Sequence, residues 1–96
     1  MLSIEHGPDA IRMTGRLDAT EAARAQSALD TTAGRVTLDC SGLEYLSSAG
    51  LGVLLKTHKR LLAAQGGLRL TGVSRHLQDI LSYSGFDQIL EVEAAR

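Results

Sequence analysis

The chain has 96 residues, 44% of them apolar, which is enough for one small core and leaves little room for a deep active site. Ten Lys and Arg stand against eleven Asp and Glu, for a net charge of −1, and the aromatic residues are two Tyr and one Phe. That balance argues against nucleic acid or an anionic membrane surface as the main partner, and so few aromatics leave little material for base stacking.

The N-terminal run Met1-Leu2-Ser3-Ile4-Glu5-His6 has neither the basic start nor the apolar length of a signal segment. Leu2 and Ile4 alternate with polar residues and read as a short strand. Gly7-Pro8-Asp9 is turn chemistry, and Ile11 and Met13 open a second strand that Gly15 is expected to end. The pair reads as a hairpin. Asp18-Ala19-Thr20-Glu21 has the form of a capping box, so a helix is expected from Ala19 to Leu29. Its Ala22, Ala23 and Ala25 bury little area and suit close packing on a sheet.

Arg35 to Cys40 reads as a third strand, with Ser41-Gly42 turning the chain. Cys40, the lone cysteine, excludes an internal disulfide and fits a reducing, cytoplasmic setting. It reads as a small buried residue. Leu43 to Leu46 then leads to a double serine, Ser47-Ser48, at the start of a helix from Ala49 to Gln65. Leu51, Leu54, Leu55, His58, Leu61 and Leu62 form the apolar stripe of that helix. Lys56, Lys59 and Arg60 fall on the other side, as a solvated face or one that steers an acidic partner. Gly66-Gly67 supplies a C-terminal cap. The run around Leu51 is far short of a membrane span. Leu68 and Leu70 mark a fourth strand. Ser74 caps a third helix carrying Leu77, Ile80 and Leu81, which Gly85 ends. Ile89 to Val92 reads as a last short strand.

The strands alternate apolar with polar residues, whereas sheets covered on both faces read as solid apolar runs. The expectation is therefore an α/β fold with a small mixed sheet of four to five strands and helices packed mainly on one face, as a single domain over residues 1–96.

This order of elements resembles the STAS domain, the fold of bacterial anti-sigma-factor antagonists. The resemblance covers essentially the whole chain. It rests on Gly15-Arg16-Leu17-Asp18, on Val36-Thr37-Leu38-Asp39-Cys40-Ser41-Gly42-Leu43, on Tyr45-Leu46-Ser47-Ser48-Ala49-Gly50-Leu51-Gly52, and on Ser84-Gly85-Phe86. The resemblance implies a partner-switching cycle. The unmodified domain binds an anti-sigma factor that is also a serine kinase, and a sigma factor is released. Phosphorylation at the start of the second helix breaks the complex, and a serine phosphatase resets it.

One departure matters. The family's common loop places its phosphoacceptor directly before the glycine, and here that slot holds Ala49, which has no hydroxyl. Ser48 stands where the loop's first serine stands, and Ser47 replaces an acidic residue. The candidate phosphoacceptor is thus Ser48, with Ser47 as second choice. The bland reading of both is a helix cap, favoured by roughly 0.5–2 kcal/mol over Ala. The candidate partner surface comprises Asp18, Asp39, Ser47, Ser48, Ala49, Gly50, Leu51 and Gly52. Asp18 and Asp39 have simpler readings, as a helix cap and as a strand-end residue making local hydrogen bonds. Gly50 and Gly52 have one too, as tight packing near the sheet.

No enzyme is expected. Gly-x-Ser-x-Gly is absent and no His–acid pair is visible in the sequence. No cofactor is called for, and no His/Cys pair has metal-ligand spacing. His58 reads as a satisfied, partly buried histidine, and His6 and His76 as surface residues. Besides the switched antagonist, two readings stay open: an antagonist never phosphorylated, and a STAS subunit or scaffold of a larger complex in lipid transport or stress signalling. The sequence leaves the oligomeric state open, a weak homodimer included.

Overall fold

The computed structural model describes residues 1–95. The expected hairpin is there: β1 (Leu2–His6) pairs antiparallel with β2 (Ile11–Leu17), Leu2 opposite Gly15 and His6 opposite Ile11. Then follow α1 (Ala22–Leu29), β3 (Arg35–Leu46), α2 (Ser48–Ala63), β4 (Gly67–Val73), α3 (Arg75–Tyr83), a 3-10 turn (Phe86–Gln88) and β5 (Glu91–Ala94). The five strands lie in the order β1-β2-β3-β4-β5, and every pair after the hairpin is parallel. Each crossover steps the same way along the sheet, so crossovers of one hand lay all three helices on one face. Leu29, Leu54, Leu61, Leu77 and Leu81 from the helices accordingly join Met13, Leu17, Leu38, Leu68 and Leu70 from the strands in one buried cluster.

The other face is open and polar, as the alternation in the strands requires. Arg12 pairs with Asp39 at 3.3 Å, Arg69 reaches Glu91 and Glu93, and the Arg16 guanidinium lies 4.3 Å over the Tyr45 ring. Pairs this exposed are worth little individually; they keep the face wet rather than hold the fold.

Several local expectations are corrected. Gly15 does not end β2, which continues to Leu17. Gly15 adopts φ +95° where the β2–β3 register shifts, and a side chain there would meet the Met1 carbonyl. Nor does Ser41-Gly42 turn the chain: β3 runs through it to Leu46. Arg12 and Thr14 of β2 face Asp39 and Gly42, so β3 carries one extra residue there. The Asp39 carboxylate accepts the Ser41 N–H at 2.9 Å, so turn chemistry is spent on a bulge rather than a reversal.

The capping box does not form. Helix α1 starts at Ala22, and Asp18 instead holds the preceding turn, accepting from Thr20 Oγ1 at 2.7 Å and from the Glu21 N–H at 3.3 Å. The Glu21 carboxylate accepts the Leu2 N–H at 2.7 Å and pairs with Arg24, which also donates to the Leu2 carbonyl. A contact between distant residues outcompetes the local cap.

On α2 the buried stripe is rotated from the expected one. Val53 and Thr57 are inside, while Leu62 is 57% exposed. The left-handed residue at the end of α2 is Gln65, not a glycine. Gly66 is needed for a different reason: a Cβ there would overlap the Gly34 carbonyl, which accepts the Gly67 N–H at 3.1 Å. Arg60 is not part of a free basic face. It donates to the carbonyls of Leu29 and Thr32, both at 2.9 Å, and so closes the end of α1. The last strand starts at Glu91 because the 3-10 turn leaves Ile89 outside, 49% exposed.

Other expectations hold. The Ser74 hydroxyl accepts the Leu77 N–H at 3.3 Å and caps α3. His58 is buried, and its Nδ1 accepts the Leu68 N–H at 3.1 Å. Cys40 is buried, and burial, with the neighbouring Asp39 charge, pushes its thiol up to about 12.

Candidate functional site

The junction of β3 and α2 is built by Ser47. Its backbone N–H donates to the Leu17 carbonyl at 3.0 Å, and its hydroxyl donates to the same carbonyl at 3.3 Å. The Ser47 oxygen accepts the Gly50 N–H at 3.1 Å, and its carbonyl accepts the Leu51 N–H at 2.9 Å. One serine thus caps α2 and ties it to the end of β2. Gly50 follows from that closeness: a Cβ there would stand 2.7 Å from the Leu17 carbonyl oxygen and 2.9 Å from Leu46 Cδ1.

Ser47 and Ser48 are therefore not a cap pair. Ser48 is the first residue of α2, exposed, and makes no side-chain hydrogen bond among the described residues. Ala49 beside it is exposed as well. The first turn holds no acidic residue, so no carboxylate of α2 itself offsets the partial positive charge of the helix start. A phosphate on Ser48 would meet favourable charge and leave the cap intact, whereas one on Ser47 would destroy the cap.

The structure sorts the remaining candidates. Gly50 and Leu51 are buried and shape the junction from within, so the expectation that they present surface to a partner is corrected. Gly52 is the reverse: beyond its own helix backbone, no atom of the described residues lies within 4 Å of the place a Cβ would take, so tight packing does not explain it. Asp18 directly follows Leu17, whose carbonyl anchors Ser47, and belongs to the junction. The Thr20 hydroxyl, with the Glu21 N–H, holds its carboxyl below the usual range. Asp39 does not belong there. It sits mid-strand, seven residues before Leu46, or about 23 Å along β3, on the open face with Arg12. The Ser41 N–H, then Arg12, lower its pKa.

Sequence reasoning missed what α1 contributes. Ala22, Ala23 and Gln26 form one wall of a shallow groove of about 460 Å³. Ala49, Gly52, Val53, Leu55 and Lys56 of α2 form the other. The signal was small residues on two successive helices, read above only as close packing on the sheet. Among the described residues no three His, Cys, Asp or Glu side chains converge as metal ligands, and no helix is long and apolar enough to cross a membrane.

Fold and junction together define a STAS-type α/β domain. Residues 1–91 match the family model described as "Mlab, STAS domain", and the chain belongs to that family. Among curated proteins it is similar to BtrV of Bordetella bronchiseptica, which bears the name of an anti-sigma factor antagonist, with 42% identity over 62 residues. That match covers 65% of this chain and 53% of BtrV, so this chain spans about half the length of the curated relative it matches.

Among solved structures, an anti-sigma factor antagonist from Mycobacterium paratuberculosis superposes with a TM-score of 0.79 at 19% identity, covering 97% of this chain and 84% of that one. The antagonist SpoIIAA in its unphosphorylated form gives 0.75 at 20% identity, over 96% of this chain and 87% of its own. The Bacillus cell fate determinant SpoIIAA in its phosphorylated form gives 0.67 at 18%, over 96% and 90%. At such identities the likeness is one of fold.

Proposed function

We propose that this chain is an anti-sigma-factor antagonist that docks a serine-kinase-type anti-sigma factor through the β3–α2 junction, and that it is not an enzyme. Asp18, Ser48, Ala49 and Gly52 supply the contact surface. Ser47, Gly50 and Leu51 hold that surface in shape. The observation that carries the reading is the division of labour at the junction: Ser47 is consumed by the cap while Ser48 and Ala49 stand exposed beside it. The names of BtrV and SpoIIAA, and the phosphorylated form described for SpoIIAA, support it.

Phosphorylation falls on Ser48 and ends the complex by placing about −1.5 to −2 charge in the docking surface. A serine phosphatase reverses it. The test is calorimetric titration of the unmodified chain into the serine-kinase-type anti-sigma factor of the same organism, followed by incubation with ATP and mass spectrometry. Expected are binding, then a phosphate on Ser48. Absence of binding by the unmodified chain overturns the reading.

Ala49 favours a second reading. With no hydroxyl in the usual acceptor slot, the domain acts unswitched, as a permanent antagonist or as a subunit of a larger assembly in lipid transport or stress signalling. Binding without any phosphate after kinase treatment selects the permanent antagonist. Co-purification with transporter subunits selects the assembly.

A further inference from the structure

The groove between α1 and α2 opens directly beside the junction, because Ala49 and Gly52 belong to both. It is pre-formed. Gln26 Nε2, in the groove wall, donates to the buried Thr57 hydroxyl at 3.2 Å, and farther on Arg60 holds the last carbonyl of α1, so the two helices are pinned to each other at and beyond the groove. Its surface is mostly carbon: the methyls of Ala22, Ala23 and Ala49, the bare Gly52 backbone, and Val53. Its two ends differ in charge. Toward the junction, just outside the lining, stands Asp18, which follows Leu17 at the anchor of Ser47 and precedes α1, and whose Oδ1 accepts from Thr20 and the Glu21 N–H. Seven residues along α2 from Ala49, about 10 Å away, stands Lys56, with Lys59 just beyond. Both lysines are exposed and neither has an ion-pair partner among the described residues.

We propose that this groove seats an amphipathic helix of the protein partner, its apolar side chains over Ala22, Ala49 and Gly52, a cationic end at Asp18 and an acidic end at Lys56. The proposal rests on the docking function given above and adds the chemistry and direction of the docked element. An apolar middle between opposite charges is the pattern that an amphipathic helix in a groove satisfies. Rigid walls spare most of the ordering cost of binding. Opposite charges at the two ends fix direction more than they add affinity. A second copy of the chain is a poor occupant. On α3 the apolar Leu77 and Leu81 are spent inward and Arg75 pairs with Asp79, while the exposed apolar residues of the helices, Leu62 and Tyr83, stand singly on different helices.

The test uses the full isotope-labelled chain, followed by NMR, and three short stapled helical peptides sharing one leucine face. One carries lysines at one end and glutamates at the other, one is uniformly acidic and one uniformly basic. The bipolar peptide is expected to bind best and to move the amides of Ala23, Ala49, Gly52 and Val53. Lys56→Glu is expected to weaken it about tenfold and to make the basic peptide the preferred one. A Cβ at Gly52 has open space among the described residues, so Gly52→Leu builds out into the groove and is expected to keep the fold, checked by an unchanged urea midpoint, while peptide binding is lost.

Equal binding of all three peptides, unmoved groove amides, or concentration-dependent shifts of the groove without peptide (a second copy) would each overturn the proposal. Titration of Lys56→Glu into the anti-sigma factor separates the two readings, because Lys56 lines the groove and lies outside the junction surface. If it binds as the unmodified chain does, the groove proposal falls and the docking function stands. If the unmodified chain itself does not bind, the docking function falls and the peptides still judge the groove.

Discussion

At its C-terminal end α2 is held by His58 against the Leu68 N–H, by Arg60 against Leu29 and Thr32, and by the backbone of Gly66 lying on Gly34. At its N-terminal end the ties stop at Ser47 and Gly50; Ser48 and Ala49 are exposed and a Cβ at Gly52 would meet open space, with no side-chain partner among the described residues. The same helix is thus anchored at one end and presented at the other. Both ends contain glycines and polar residues of similar type, so composition does not distinguish them. What distinguishes them is whether those groups are spent on the protein itself. A surface reserved for another molecule is where they are not.

The comparison breaks first at Gly66. Gly66→Ala forces the Gly34 turn away, and overpacking against backbone is expected to cost about 3 kcal/mol, read as a lowered urea midpoint at unchanged slope. His58→Leu at the same end strands the buried Leu68 N–H and is expected to cost about 1–3 kcal/mol. If both substitutions prove neutral, the anchored end is not anchored and the contrast fails.

Much of this was legible in the sequence. The hairpin, the element order, the Ser74 cap, the satisfied His58 and the buried Cys40 follow from periodicity and from single-residue chemistry, which are local. The misreadings share one cause. Glu21 three residues after Asp18 reads as a capping box, yet the Leu2 N–H, nineteen residues away, captures it. Ser41-Gly42 carries the same signal whether the chain reverses or bulges, and only pairing with β2 decides. Arg60 sits on the polar side of its own helix, and nothing local says that α1 ends within its reach. The candidate site divided in the same way. Leu51 and Gly50 match a motif by position, but burial, which is a property of the whole fold, withdraws them from the surface. The groove needed two helices and so was invisible to either.

The double serine gives the next effect. Ser47→Ala loses the cap on Gly50 and the hydroxyl bond to Leu17, and is expected to cost about 0.5–2 kcal/mol, with the helix start fraying in hydrogen exchange. Ser48→Ala, one residue on, is expected to be neutral in the same assay. Equal costs at the two serines would erase the distinction between cap and acceptor.

Gly52→Ala should reverse the sign seen at Gly66. A methyl at Gly52 meets no atom of the described residues within 4 Å beyond its own helix backbone, so the substitution adds only helix propensity and is expected to stabilise by about 0.5–1 kcal/mol. Together the two alanines ask one question of both ends of α2. Opposite signs mean that the glycine at the anchored end is structural and the one at the presented end is not.

The smallest effect tests the tie that holds the hairpin edge to α1 beside the junction. The Arg24 guanidinium, and after it the Leu2 N–H, lower the Glu21 carboxyl below its ordinary 4.5. A carboxyl depressed in the folded state binds fewer protons there than in the unfolded chain at acid pH, so stability must rise with pH across that range. The contribution is complete above the ordinary value and is lost as pH falls through the lower, folded one. Glu21→Gln keeps an oxygen for the Leu2 N–H and removes the charge. Its urea midpoint should therefore fall less steeply than that of the parent chain between about pH 5 and pH 3, and the two should converge at the acid end. The Arg24 pair is exposed, so added salt should shrink the difference as well. A parent and a variant that titrate in parallel would mean that the Glu21 charge does not hold β1 to α1. The hairpin edge would then be held to α1 by the Arg24–Leu2 bond instead.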